Sequence, residues 1–155
     1  MSIRFVALET SIVRTLQNGE ADANGQMPER QISDGNGIPC RHCLEHVKAG
    51  QPYLILAHRP FPEPQPYAEI GPIFLHADAC ARYHASETVP PMLASPQYLI
   101  RGYSAGHRIV YGSGRIVPTA AIPDAAADMF RDARISYIHV RSASNNCFQC
   151  RIDRS

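Results

Sequence analysis

The sequence predicts an α+β domain built on a largely antiparallel sheet with one main helix. Short apolar runs are joined by hairpin-type turns rather than by helical crossovers. A single stretch, after Pro123, has sustained helical periodicity. The 155 residues, 45% hydrophobic and 19% charged, suit one domain over 1–155 that needs no disulfide scaffold.

The elements follow in order. Met1 to Glu9 reads as a first strand, because Arg4 and Glu9 interrupt the apolar run a signal peptide would need. Ser11 to Leu16 reads as a short turn of helix. Residues 17–39 then lose the apolar pattern and carry three Asn-Gly steps, at Asn18, Asn24 and Asn36, which predicts a long loop or flexible arm. Tyr53 to Ala57, bounded by Pro52 and Arg59-Pro60, reads as a strand. In the proline-rich connector 58–72, proline at every second position from Pro60 to Pro66 excludes a central strand and predicts an extended surface crossing.

Ile73 to His76 is the next strand, with Asp78 a candidate N-cap for a short helix through Tyr83. Tyr98 to Tyr103 and Arg108 to Tyr111 read as strands about a Ser104–His107 turn. The main helix places Pro123 at its first position and Ala126, Met129, Phe130 and Ala133 along one apolar face. Ser136 to Arg141 and Cys147 to Asp153 complete the sheet as a hairpin.

Composition excludes several classes. Fifteen basic against fourteen acidic residues, without a block of one sign, lack the footprint of a dedicated nucleic-acid binder. No apolar run approaches the roughly 20 residues that cross a bilayer. A cytoplasmic location is the expectation, and a reducing compartment favours thiols or metal ligation for the five cysteines.

Those cysteines carry the sharpest chemistry. Cys40-Arg-His-Cys43 lies in a turn-like context resembling a zinc knuckle, where both thiolates can turn toward one tetrahedral ion. His76 and Cys80 compete with Cys147 and Cys150 to complete the site. Strand alternation would put Phe148, Cys150 and Ile152 on one face and Cys147 on the other, so the C-terminal pair chelates only if Cys147 belongs to the preceding turn. Knuckle, strand, strand, then ligands at a helix start is the treble-clef order. It favours Cys40, Cys43, His76 and Cys80 as ligands of one zinc, with His42 and His46 as spare imidazoles. The competing readings are buried core thiols without an ion, or a redox dithiol at Cys40 and Cys43, for which the βαβ context is missing.

Gly102-Tyr-Ser-Ala-Gly106 matches a nucleophile-elbow pattern, but a strand rather than a helix is expected to follow, so Ser104 reads as a turn residue. His58 and His139 read as hydrogen-bonded strand imidazoles that could join an acid–base site. Arg101, Arg141, Arg151 and Arg154 read as a charged sheet face or an anion-binding row.

In combination, Pro39-Cys-Arg-His-Cys-Leu44, Tyr53-Leu-Ile-Leu56, Gln65-Pro-Tyr-Ala-Glu69, Gly71-Pro-Ile-Phe-Leu-His-Ala77, Tyr137-Ile-His-Val-Arg141, Cys147-Phe148 and Arg151-Ile-Asp-Arg154 resemble a bacterial family catalogued as domain of unknown function 1203. The resemblance spans nearly the whole chain and implies a small bacterial protein; it implies no particular reaction or catalytic residue. Three functional expectations follow: a protein holding one structural zinc, an enzyme with a polar site of His58, His76, His139 and arginines, or a protein-interaction module using the 17–39 arm.

Overall fold

Apolar runs dictate where the chain pairs, and a computed structural model describes residues 2–155. The elements are β1 (Ile3–Val6), α1 (Thr10–Gln17), β2 (Glu29–Ile32), β3 (Pro52–His58), β4 (Gly71–His76), β5 (Gln97–Tyr103), β6 (Arg115–Pro118), α2 (Ile122–Met129), β7 (Tyr137–Ser142) and β8 (Phe148–Arg154). Five strands form one antiparallel sheet in the order β1-β8-β7-β5-β6, and three form a second in the order β2-β3-β4. The architecture is thus α+β and mostly antiparallel, with little helix.

Each sheet buries one face under one helix. Ile100, Ile138, Val140 and Ile152 of the large sheet pack with Ile122, Ala126, Met129 and Phe130 from α2 and its end. Leu54, Leu56, Ile73 and Leu75 of the small sheet pack with Val13 and Leu16 of α1. Burial of such side chains stabilises by about 1.5–3 kcal/mol each. Helix α2 is shorter than its apolar stripe predicts. It stops at Met129, and i→i+3 bonds from Arg131 and Asp132 close the end, because Ala133 is exposed and Ile135 takes over the core contact.

Several expectations are corrected. β2 lies inside the stretch read as loop, and its four side chains are all exposed, so it carries no apolar signal. The same stretch is tied down by Asp22, whose carboxylate accepts the Ala57 backbone N–H at 3.0 Å. No helix follows Asp78. Residues 77–85 run irregularly because Phe5 in β1 pairs with Ser86, which the chain reaches only if extended. The backbone groups there find tertiary partners instead, with Tyr83 N–H donating to the His42 carbonyl and Arg14 donating to that of Cys80.

Arg108 to Tyr111 contributes only a bridge, Tyr103 with Ile109, and the strand that flanks β5 on the side away from β7 is β6. The positive φ of the Ser104 turn falls on His107, not Gly106. Gly102 is needed for packing rather than for an elbow, since a Cβ there would meet Ile135 Cδ1 at 2.7 Å.

Strict alternation also fails in β8. The register shifts between Val140 and Arg141, so Cys150 pairs with Val140 while Phe148 pairs with Arg141. One extra residue, Gln149, re-aims the strand. Cys150 therefore faces the core, while the Phe148 ring lies 4.8 Å from His139 on the opposite face. On that face the connector between β3 and β4 is pinned by Phe61, packed 5.4 Å from Tyr103 and 5.2 Å from His139.

Candidate metal centre

The tetrapeptide Cys40-Arg-His-Cys43 is a closed turn. Leu44 N–H donates to the Cys40 carbonyl at 2.9 Å, Cys40 N–H donates to that of Glu45, and Pro39 bridges His46 across the turn. Closing it requires Leu44 at φ 58°, a left-handed conformation costing a non-glycine residue about 1–2 kcal/mol. Full burial of the Leu44 side chain in the large-sheet core offsets that cost, so the strained residue also fastens the turn to the main sheet.

His76 ends β4, and Cys80 follows in the irregular segment. The structure brings Cys40, Cys43, His76 and Cys80 together, with one candidate donor atom from each lying within 4.8 Å of all the others. Cys40 Sγ and Cys80 Sγ are 3.9 Å apart, and Cys43 Sγ is 3.5 Å from His76 Nδ1. A tetrahedral zinc would have sulfur–sulfur edges of about 3.8 Å and sulfur–nitrogen edges of about 3.6 Å. The cluster is therefore compatible with a zinc ion.

The surroundings favour negative sulfur. His76 N–H donates to Cys40 Sγ at 3.3 Å. Hydrogen bonds from Cys43, then Cys80, hold the Cys40 thiol far below its ordinary range; the same pairings push Cys43 up to about 11 and raise Cys80 as well. The Cys40 thiolate in turn raises His76. A divalent cation would take the place of the protons these four donors share, binding the thiolates and releasing the protons.

A second tier orients these groups. His42 Nδ1 lies 3.1 Å from Cys80 Sγ and its Nε2 2.8 Å from Thr10 Oγ1. With Nδ1–H donating to sulfur, Nε2 accepts from the Thr10 hydroxyl. Burial lowers the His42 pKa, keeping the ring neutral for that role. Arg14 donates to the Cys80 carbonyl at 2.9 Å, and Gln17 donates to the carbonyls of His76 and Asp78. Thr10, Arg14 and Gln17 recur at four- and three-residue steps, so one polar stripe of α1 clamps the cluster. This outer role of His42 and α1 was not legible, because it depends on ring orientation and on contacts far apart in sequence.

A family model described as "Protein of unknown function (DUF1203)" matches residues 37–154. The chain belongs to that family. No curated protein and no solved structure matches it. The family segment contains the knuckle, His76 and Cys80, whereas α1 lies before it.

Other candidates fall elsewhere. His46 is not one of the four clustered donors, and its Nδ1 is buried without a hydrogen-bond partner. Cys147 sits half-buried at the β7–β8 turn and Cys150 in the core, so they form no cluster among the described residues. His58, His139 and Arg141 converge beside the connector without His76. Arg141 forms an ion pair with Glu69 at 2.6 Å and donates to His139 Nδ1 at 3.1 Å, and Arg101 shares Glu69. Arg154 donates to the carbonyls of Phe130 and Ile135. Among the described residues no helix is long and apolar enough to cross a membrane.

Proposed function

We propose that the protein is a small bacterial domain holding one structural zinc ion on Cys40, Cys43, His76 and Cys80. The single observation that carries this is the gathering of four soft or borderline donors within 4.8 Å of one another, two of the pairs at 3.9 and 3.5 Å, from a knuckle and a hairpin end. Four protein ligands close the coordination sphere, so the ion joins segments rather than activating water. It would join the 40–43 turn to the end of β4, and through Leu44 and Arg41, which donates to the Phe148 carbonyl at 2.9 Å, the small sheet to the large one. None of the five cysteines is in a disulfide, which suits a reducing cytoplasm.

Elemental analysis of protein purified without a histidine tag is expected to find about one equivalent of zinc, and cobalt substitution to give tetrahedral thiolate spectra. Less than about a tenth of an equivalent would overturn the reading. A second reading, a ligand-binding or enzymatic site of histidines and arginines, is favoured by the convergence of His58, His139 and Arg141 at a concave face.

A further inference from the structure

The bulge in β8 and the pinned connector leave a cavity of about 440 Å³ between the two sheets. It opens where β1 runs into α1. Small-molecule pockets commonly span about 300–1,000 Å³, with apolar walls and a few convergent polar groups. Here Phe61, Tyr137 and Phe148 form much of the wall, Pro60 and Pro62 stiffen its roof, and Ile12 lies at its edge on α1.

Two imidazoles supply the polar groups. Arg141 donates to His139 Nδ1, so the neutral ring carries its proton on Nε2, available to a ligand. His58 Nε2 is buried without a partner. Burial and nearby arginines lower both histidines, His58 to about 4. The charged lining consists of Arg59, Arg82 and Arg151 against Glu9 and Asp153, and Arg151 is already paired with Asp153. The rim therefore keeps one net positive charge above aromatic walls.

We propose that this cavity binds a flat, singly charged carboxylate, its ring among Phe61, Tyr137 and Phe148 and its carboxylate toward the histidines and the arginine rim. One negative charge matches the rim, an unpartnered imidazole nitrogen gains a partner, and a planar ring suits a lining of Phe61, Phe148 and the edge of Tyr137, whose faces are taken by Tyr103 and Arg151. The site is independent of the metal and uses a different edge of α1.

The test titrates benzoate, benzylamine and inorganic phosphate into the full-length protein, reading calorimetric heat and imidazole NMR shifts of His58 and His139. Benzoate is expected to saturate with shifts at both histidines. Ile12→Trp, at an exposed position that fills the mouth, should weaken benzoate by about tenfold, and Arg59→Gln by about fivefold. Absence of saturable shifts up to about 10 mM benzoate would overturn the proposal, as would benzylamine or phosphate binding as tightly as benzoate, or benzoate binding unchanged by Ile12→Trp.

Discussion

Two Cys-x-x-Cys pairs share one spacing and meet opposite fates. Each sits beside a residue in the left-handed region, Leu44 at φ 58° and Asn146 at φ 58°. Cys40 and Cys43 both precede that residue, inside the turn it closes, and their thiols converge. Cys147 and Cys150 both follow it, where the chain has already left the turn for a strand. Cys150 is then drawn into the core, while Cys147 stays at the turn with its thiol 3.8 Å from the Asn145 carbonyl. Spacing alone does not make a chelate; the position of the left-handed residue relative to the pair does.

The strongest way to break the comparison is to remove a knuckle ligand. Cys43→Ser, or chelation of the wild-type protein, is expected to abolish zinc content and lower the thermal midpoint by well over 10 °C, since structural zinc sites supply on the order of 10 kcal/mol to small domains. A variant that kept its zinc and its midpoint would place the cluster on a level with the C-terminal pair.

Acidification separates the regions next. His58 has its folded pKa depressed to about 4, so below about pH 6.5 the unfolded chain binds a proton that the folded chain refuses. Stability is therefore expected to fall between about pH 6.5 and 4, by about 3 kcal/mol in total, from this group alone. His58→Gln in the otherwise unaltered protein should flatten the pH slope of its urea-unfolding stability; an unchanged slope would remove His58 from the account.

Smaller effects sharpen the contrast. His42→Ala is expected to weaken zinc binding about 10–100-fold in chelator competition, by removing the donor to Cys80. Cys150→Ser should cost about 1–3 kcal/mol for a hydroxyl buried in an apolar core, with zinc content intact, while Cys147→Ser should change stability by less than about 0.5 kcal/mol. Equal costs at Cys147 and Cys150 would show that the bulge does not divide their environments.

The strands that bury alternate side chains were legible: β3, β4, β5, β7 and β8 each announced themselves by apolar runs between turn residues. The edge strands β2 and β6 were not, because they contribute backbone hydrogen bonds and almost no buried surface; Val117 is the one buried side chain of β6. The helix expected at Asp78 failed for a different reason. Local capping chemistry was outweighed by the need to reach Ser86 and by tertiary partners for Cys80 and Tyr83. The grouping of the four cluster residues was readable from knuckle spacing and hairpin order. The pairing of Phe148 with Arg141 was not, since a single inserted residue reverses a face without altering composition.

Strand β1 carries a final consequence. It pairs with Arg151–Arg154 of β8 at the rim of the large sheet, through the register Ile3 with Arg154 to Val6 with Arg151, yet it precedes the residues that the family model matches. The boundary drawn by family resemblance therefore cuts through a ladder of hydrogen bonds. A polypeptide begun at residue 37 would expose β8 as an unsatisfied border, chemically ready to recruit a strand from another molecule. The first few residues thus act as a molecular hem for β8, and the hem is itself caught on its outer side by the isolated bridge from Phe5 to Ser86.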